Sequence, residues 1–241
     1  MASDSGIWVL IPAAGSGSRM GTTVPKQYLP LAGLPVLTHT LIRLGSFPGL
    51  RGIVVGLSPD DLHWDQVEQQ VADLPVPLYR CEGGAERAQT VLKALDHLAP
   101  QARRGDRVLV HDAVRPCVRH TDIAALIMAT EGLEEGGLLA APIVDTIKRS
   151  DEHNHVMETV DRNRLWRALT PQLFPMEALR TALRQAMDRG LAITDEASAM
   201  ESAGFRPLCI AGNTDNIKIT WPTDLALAEY YLAQQEKESS R

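Results

Sequence analysis

The chain has 241 residues, 44% of them hydrophobic and 22% charged, with a formal net charge of −6. This is the composition of an ordinary globular protein with room for one large α/β domain, and its acidic balance gives no general attraction to nucleic acid. Cys81, Cys117 and Cys209 are far apart and lack Cys-X-X-Cys spacing, which excludes a disulfide framework or zinc cluster and points to a reducing compartment, by default the cytoplasm.

Residues 1–6 carry no basic segment, and the apolar run that follows is too short for a signal core or a membrane span. Ile7-Trp8-Val9-Leu10-Ile11 reads as a buried strand that breaks into a turn of small residues. Ala13, Ala14, Gly15 and Gly17 allow backbone N–H groups to approach an anion closely, while Arg19 and Lys26 add full positive charge nearby. The implied ligand is a small polyphosphate. Glycines at 15, 17 and 21 are spaced one residue too long for the dinucleotide fingerprint, and no Gly-Lys-Ser/Thr closes a P-loop.

Further along, Val36, Leu37, Thr40, Leu41 and Leu44 recur at helical spacing, and residues 53–57 form a second apolar strand. Trp64, Val67 and Val71 give the next helix its apolar face, and Pro77 demotes residues 76–79 to an edge strand. A second glycine turn, Gly83-Gly84, precedes a helix with Val91, Leu92, Leu95 and Leu98 inward. Residues 107–112 are a strand ending on Asp112. In open α/β sheets ligands sit at the carboxyl ends of strands, so Asp112 and Arg115 are expected at the same rim as the first turn.

After a strand at 138–143 the pattern gives way to polar, β-prone sequence that reads as a projecting hairpin, roughly 143–163. Such a ribbon is marginal alone in water and calls for a partner chain. His153 and His155 have no third ligand nearby and read as an exposed loop. A helix spans 176–187, and Thr194 is expected to cap another that holds Asp195 and Glu196 in its first turn and stops at Gly204. Residues 208–211 and 216–219 read as closing strands, Thr223-Asp224 opens a last helix, and residues 234–241 read as a disordered tail. No second catalytic domain is expected after residue 233.

The first turn, His111-Asp112-Ala113-Val114-Arg115-Pro116, Asp145-Thr146-Ile147-Lys148, Asp161-Arg162-Asn163, Leu165 to Gln172, Ile193 to Ser198 and Asp215-Asn216-Ile217-Lys218 together resemble the 2-C-methyl-D-erythritol 4-phosphate cytidylyltransferases over nearly the whole chain. The resemblance implies a Rossmann-like, mostly parallel sheet flanked by helices, of nucleotidyltransferase type, with a projecting β-arm exchanged across a homodimer. It also implies CTP held by residues 13–19, including Gly17 and Ser18, with Gly83, Gly84 and Thr90 near the cytosine and ribose. Asp112, beside Ala113, would bind Mg²⁺. Arg19, Lys26 and Lys218 would surround the α-phosphate. Arg162 of the partner's arm, with Thr146, Thr170 and Arg115, would receive the alcohol's phosphate. Ala85 stands where some relatives carry Asp, so no side-chain contact to the base is assigned there.

The chemistry matches these residue types. A phosphate monoester attacking the α-phosphorus of CTP brings two anions together, so cations and a metal ion are the main requirement. The monoester is already ionised near neutral pH, and no catalytic histidine is needed. The alternatives are a ribitol 5-phosphate cytidylyltransferase, a sugar-1-phosphate nucleotidyltransferase, and a non-catalytic nucleotide-binding protein on the same scaffold.

Overall fold

The computed structural model describes residues 6–15 and 24–239. In chain order the elements are β1 (Ile7–Pro12), β2 (Pro30–Leu31), β3 (Leu34–Pro35), α1 (Val36–Gly45), β4 (Leu50–Leu57), α2 (Trp64–Gln70), β5 (Leu78–Glu82), α3 (Arg87–Leu98) and β6 (Arg107–Val110). Then come α4 (His120–Ala129), β7 (Gly137–Pro142), β8 (Ile147–Ser150), β9 (Val156–Val160), β10 (Trp166–Pro175), α5 (Met176–Asp188), α6 (Glu196–Ser202), β11 (Leu208–Ala211) and α7 (Thr223–Ser239).

Seven strands form one sheet in the order β11-β7-β10-β6-β1-β4-β5. All run parallel except β10, which lies antiparallel between β6 and β7. β5 is one of the two edge strands, in line with the expectation from Pro77, which immediately precedes it. The period-2 alternation of β1 sorts its side chains between two layers. Val9 and Ile11 join Leu37, Leu41, Val67 and Leu126 on the face covered by α1, α2 and α4. Trp8 and Leu10 join Val91, Leu95, Leu179 and Leu183 under α3 and α5. Each fully buried Leu, Ile or Val adds about 1.5–3 kcal/mol of hydrophobic stabilisation, so the central strands are held from both faces and their carboxyl ends are fixed in place.

The chain leaves β1 toward β4 on one side and returns to β6 on the other, so a crevice opens where the strand order reverses. Two glycines set close approaches beside it. A Cβ at Gly83 would stand 2.4 Å from the Ala14 Cβ, and one at Gly84 would stand 2.4 Å from the Gln89 Cβ.

Three expectations are corrected. Residues 216–219 form no strand: the Asn216 carbonyl accepts from Arg115 and the Ile219 carbonyl from Lys26, so these groups serve side chains instead of a ladder. Asp195, not Thr194, caps α6, accepting from the Ser198 N–H at 2.9 Å. The tail is not disordered through its described part: α7 runs on to Ser239, and Gln235 is buried, donating to the Cys117 carbonyl at 2.9 Å and to Asp215 at 3.0 Å.

Among the described residues β8 and β9 pair only with each other, as a separate two-stranded ribbon. Lys148 donates to Thr159 and Arg149 pairs with Glu158 across it, while Val144, Val156 and Met157 are exposed.

Candidate active site

The loops after β1, β4, β5 and β6 line a cleft of about 1020 Å³. Its walls include Ala13, Ala14, Gly15, Lys26, Gly83, Gly84, Thr90, Asp112, Ala113 and Lys218, which brings most of the expected nucleotide residues into one place. Gly17, Ser18 and Arg19 lie outside the described residues.

The first turn is shaped by partners that the sequence did not single out. The Ala13 N–H donates to the Gly56 carbonyl at 2.8 Å, so this amide is committed to β4 and is not a donor for an anion. Buried Gln27 donates through Nε2 to the carbonyls of Ala13 and Gly15 at 2.8 and 3.1 Å, holding both ends of the turn. On the opposite wall the Gly83 N–H donates to the Leu57 carbonyl and the Gly84 N–H to the Thr90 hydroxyl, which itself donates to the Glu86 carbonyl. Thr90 therefore keeps the second glycine turn closed. Glu86 and Gln89 form a capping box that starts α3 directly behind it.

Asp112 forms the electrostatic centre. Its side chain is 8% exposed and faces cations from three segments: Arg87 Nε at 3.4 Å from Oδ1, Arg115 Nε at 3.0 Å from Oδ2, and Lys218 Nζ at 3.0 Å from the same Oδ2. Burial works against its charge, but Arg87, Lys218 and Arg115 outweigh it and hold the carboxyl far below the usual carboxylate range. Arg115 also donates to the Asn216 carbonyl at 2.7 Å, tying the Asp112 loop to the segment that carries Lys218. Lys26 reaches the Ile219 carbonyl at 3.4 Å and so stands beside that same segment.

His111 is fully buried below this cluster. Its Nε2 meets the Arg115 carbonyl at 3.0 Å and its Nδ1 the Thr170 hydroxyl at 3.1 Å, while Thr170 accepts from the Asp112 N–H at 3.0 Å. Burial lowers the imidazole pKa to about 4, so the ring is neutral with both nitrogens engaged. Thr170 is itself buried, its hydroxyl spent between His111 and Asp112, and neither it nor Arg115 belongs to the cleft wall. Both brace the Asp112 loop. The expected direct phosphate contact by Thr170 is thus opposed by the bonds it already makes.

Two charged residues missing from the sequence-based site lie at its edge. Arg87, the first residue of α3, pairs through Nη1 with the buried Glu196 of α6 and through Nε with Asp112. Burial opposes the guanidinium charge, yet the two carboxylates hold its pKa above the ordinary value. Position alone could have marked Arg87, since it follows the second glycine turn by three residues.

Thr146 and Arg162 are exposed on or beside the arm and do not line the cleft of their own chain; Arg162 donates to the Val144 carbonyl.

A cleft at the strand-order reversal, with Arg87, Arg115 and Lys218 gathered on Asp112, belongs to an α/β protein of nucleotidyltransferase type. Solved structures agree. A crystal structure of 4-diphosphocytidyl-2C-methyl-D-erythritol synthase superposes with a TM-score of 0.82 at 38% identity, covering 96% of this chain and 100% of that one. The 2-C-methyl-D-erythritol 4-phosphate cytidylyltransferase of Francisella tularensis gives 0.79 at 33% identity, with 94% and 100% covered. Among sequence relatives, the enzyme of that name from Aeromonas hydrophila is 51% identical over 230 residues, covering 95% of this chain and 91% of its own, and that from Vibrio vulnificus CMCP6 is 49% identical over 227 residues, 94% of each. The profile of 2-C-methyl-D-erythritol 4-phosphate cytidylyltransferase matches residues 7–234, and the chain belongs to that family.

Proposed function

We infer that this chain transfers the cytidylyl group of CTP to 2-C-methyl-D-erythritol 4-phosphate, releasing pyrophosphate and forming 4-diphosphocytidyl-2-C-methyl-D-erythritol for isoprenoid precursors made without mevalonate. Beyond family membership, the observation that carries the chemistry is the grouping of Lys218, Arg115 and Arg87 on Asp112 in the cleft. A monoester oxygen attacks the α-phosphorus, and the bond to the β-phosphate oxygen breaks with pyrophosphate leaving. Negative charge gathers on the equatorial oxygens as this happens, and Lys26 and Lys218, which line the cleft, are proposed to stabilise it. Arg19 is proposed as a third. Proton transfer to a base is not required, because the monoester is already ionised near neutral pH.

Mg²⁺ is commonly held by one or two carboxylates together with substrate phosphates. Among the described residues no group of three His, Cys, Asp or Glu side chains could hold a metal unaided, whereas Asp112 supplies one carboxylate on the cleft wall. That donor set fits an ion shared with the triphosphate, with Asp112 as its protein ligand. Bound there, Mg²⁺ would supply Lewis-acid polarisation of the phosphates.

The chain is proposed to act as a single domain in a cytoplasmic homodimer. Its exposed two-stranded arm has little core of its own, and exchange would carry Thr146 and Arg162 to the partner's cleft for the acceptor phosphate. No helix among the described residues is long and apolar enough to cross a membrane.

The test is pyrophosphate release from CTP, with and without Mg²⁺, in the presence of methylerythritol 4-phosphate, ribitol 5-phosphate or glucose 1-phosphate. Metal-dependent release with methylerythritol phosphate alone is expected. A preference for ribitol phosphate would keep the site and change the substrate, and silence with all three despite CTP binding would refute transfer.

A further inference from the structure

We propose that Glu196 and Arg87 form a positioning pair that fixes which way the Asp112 carboxylate faces in the cleft. This rests on Asp112 being the centre of the transfer site, as inferred above.

Glu196 is 1% exposed, on a helix whose Ala197, Ala199 and Met200 belong to the apolar core, a setting that does not call for a carboxylate. A charge buried there is costly unless it is paired, and its partner comes from a segment 109 positions earlier in sequence. The carboxylate is held in place by its neighbours. Buried Gln172 of β10 donates to Asp195 at 2.8 Å and accepts from the Ala197 N–H at 2.9 Å, gripping the residues on both sides of Glu196.

Arg87 divides itself between two carboxylates. Nη1 meets Glu196 while Nε faces Asp112 Oδ1, and Arg115 and Lys218 take Asp112 Oδ2 from the other side. A pair serving only to hold α6 to α3 would form two parallel hydrogen bonds, the arrangement that a guanidinium and a carboxylate favour. Here, among the described residues, Arg87 Nη2 and Glu196 Oε2 are instead buried without a hydrogen-bond partner. The guanidinium is rigid and planar, so its contact with Glu196 through Nη1 limits where Nε can stand beside Asp112 Oδ1, 3.4 Å away. Asp112 is then pulled by opposed cations and loses rotational freedom. A lysine ammonium could bond both carboxylates with its three N–H groups, but it has no rigid plane to set their directions relative to each other.

The pair is tested with Glu196→Gln, Glu196→Asp, Arg87→Lys and Asp112→Asn enzymes. Three quantities are measured: pyrophosphate release, melting temperature, and Mn²⁺ binding to the enzyme–CTP complex by electron paramagnetic resonance. Residues that orient a metal's ligands typically change affinity or activity by roughly 10- to 100-fold. Glu196→Gln and Arg87→Lys should therefore lower kcat and weaken Mn²⁺ binding by about tenfold or more, with the KM for CTP moving by less than about threefold and Glu196→Asp recovering part of the loss. Normal kcat and normal Mn²⁺ binding in Arg87→Lys, with Asp112→Asn inactive, would overturn the pair while leaving Asp112 in place. Arg87→Lys decides the matter in this way even if Glu196→Gln fails to fold. Full activity in Asp112→Asn would remove the underlying reading and the pair with it.

Discussion

Lys218 Nζ lies 3.0 Å from Asp112 Oδ2, the oxygen that Arg115 Nε also reaches at 3.0 Å. Two cations on one carboxylate oxygen are poorly explained as packing, because one would neutralise it. The excess positive charge suits a triphosphate and an attacking phosphate that must approach each other. Lys26 stands next to the same segment through the Ile219 carbonyl. Lys26→Ala and Lys218→Ala should each cost about 3–4 kcal/mol in the barrier, the scale of one preorganised electrostatic donor. Steady-state kinetics on the folded variants would show this as a fall in kcat/KM of about 10²- to 10³-fold. Near-normal turnover in either variant would remove that lysine from the chemistry.

The neutral histidine beneath the site makes stability depend on pH. An unfolded chain takes up a proton on histidine near pH 6.5, whereas buried His111 resists protonation until about pH 4. Between those values the unfolded state binds more protons. The stabilisation is therefore complete above about pH 6.5 and declines as the pH falls toward 4, by roughly 3 kcal/mol in all. Urea unfolding at pH 7.5, 6 and 5 should show this slope, and His111→Asn, which cannot titrate, should flatten it. Equal slopes in the two proteins would contradict the assignment.

Local pattern carried the sequence reading where function follows the sheet. The β1 run, the Gly83-Gly84 turn and the strand ending at Asp112 each announce themselves within a few residues, and the strand-end rule brings them together. Glu196 was hidden because an acid in the first turn of a helix usually serves the helix dipole. Only the fold distinguishes it from Asp195, which does cap α6. Asn216-Ile217-Lys218-Ile219 alternates like a strand, yet its carbonyls are taken by Arg115 and Lys26, side chains distant in sequence. The strand β10 was obscured by Pro171 and Pro175, which sequence rules read as breakers.

The polar C-terminal stretch misled for a related reason: Gln235 has nothing apolar to mark it as buried. Its amide bridges the Cys117 carbonyl and Asp215, and its own oxygen accepts from Arg43 at 2.9 Å. Gln235→Ala leaves these partners short of a bond and should destabilise the fold by about 1–3 kcal/mol. Asp215 opens the segment that carries Lys218, so hydrogen exchange should quicken across residues 213–219 in this variant. Unchanged urea stability would show that the end of α7 contributes nothing.

The proposed arm exchange would make each active site a product of two chains, and mixing tests it. Lys26→Ala damages the cleft, and Arg162→Ala damages the arm. In a mixed dimer with exchange, the cleft with intact Lys26 receives the arm with intact Arg162, so one site per dimer is whole. Without exchange each chain keeps its own defect, and both sites stay impaired. Unfolding and refolding the two variants together should therefore restore pyrophosphate release well above that of either refolded alone. Met157→Asp, which puts a charge on an arm residue 67% exposed in the single chain, should shift sedimentation toward monomer and lower activity at dilute enzyme. If mixing restores nothing while Met157→Asp leaves the enzyme dimeric and active, Arg162 does not act across the interface.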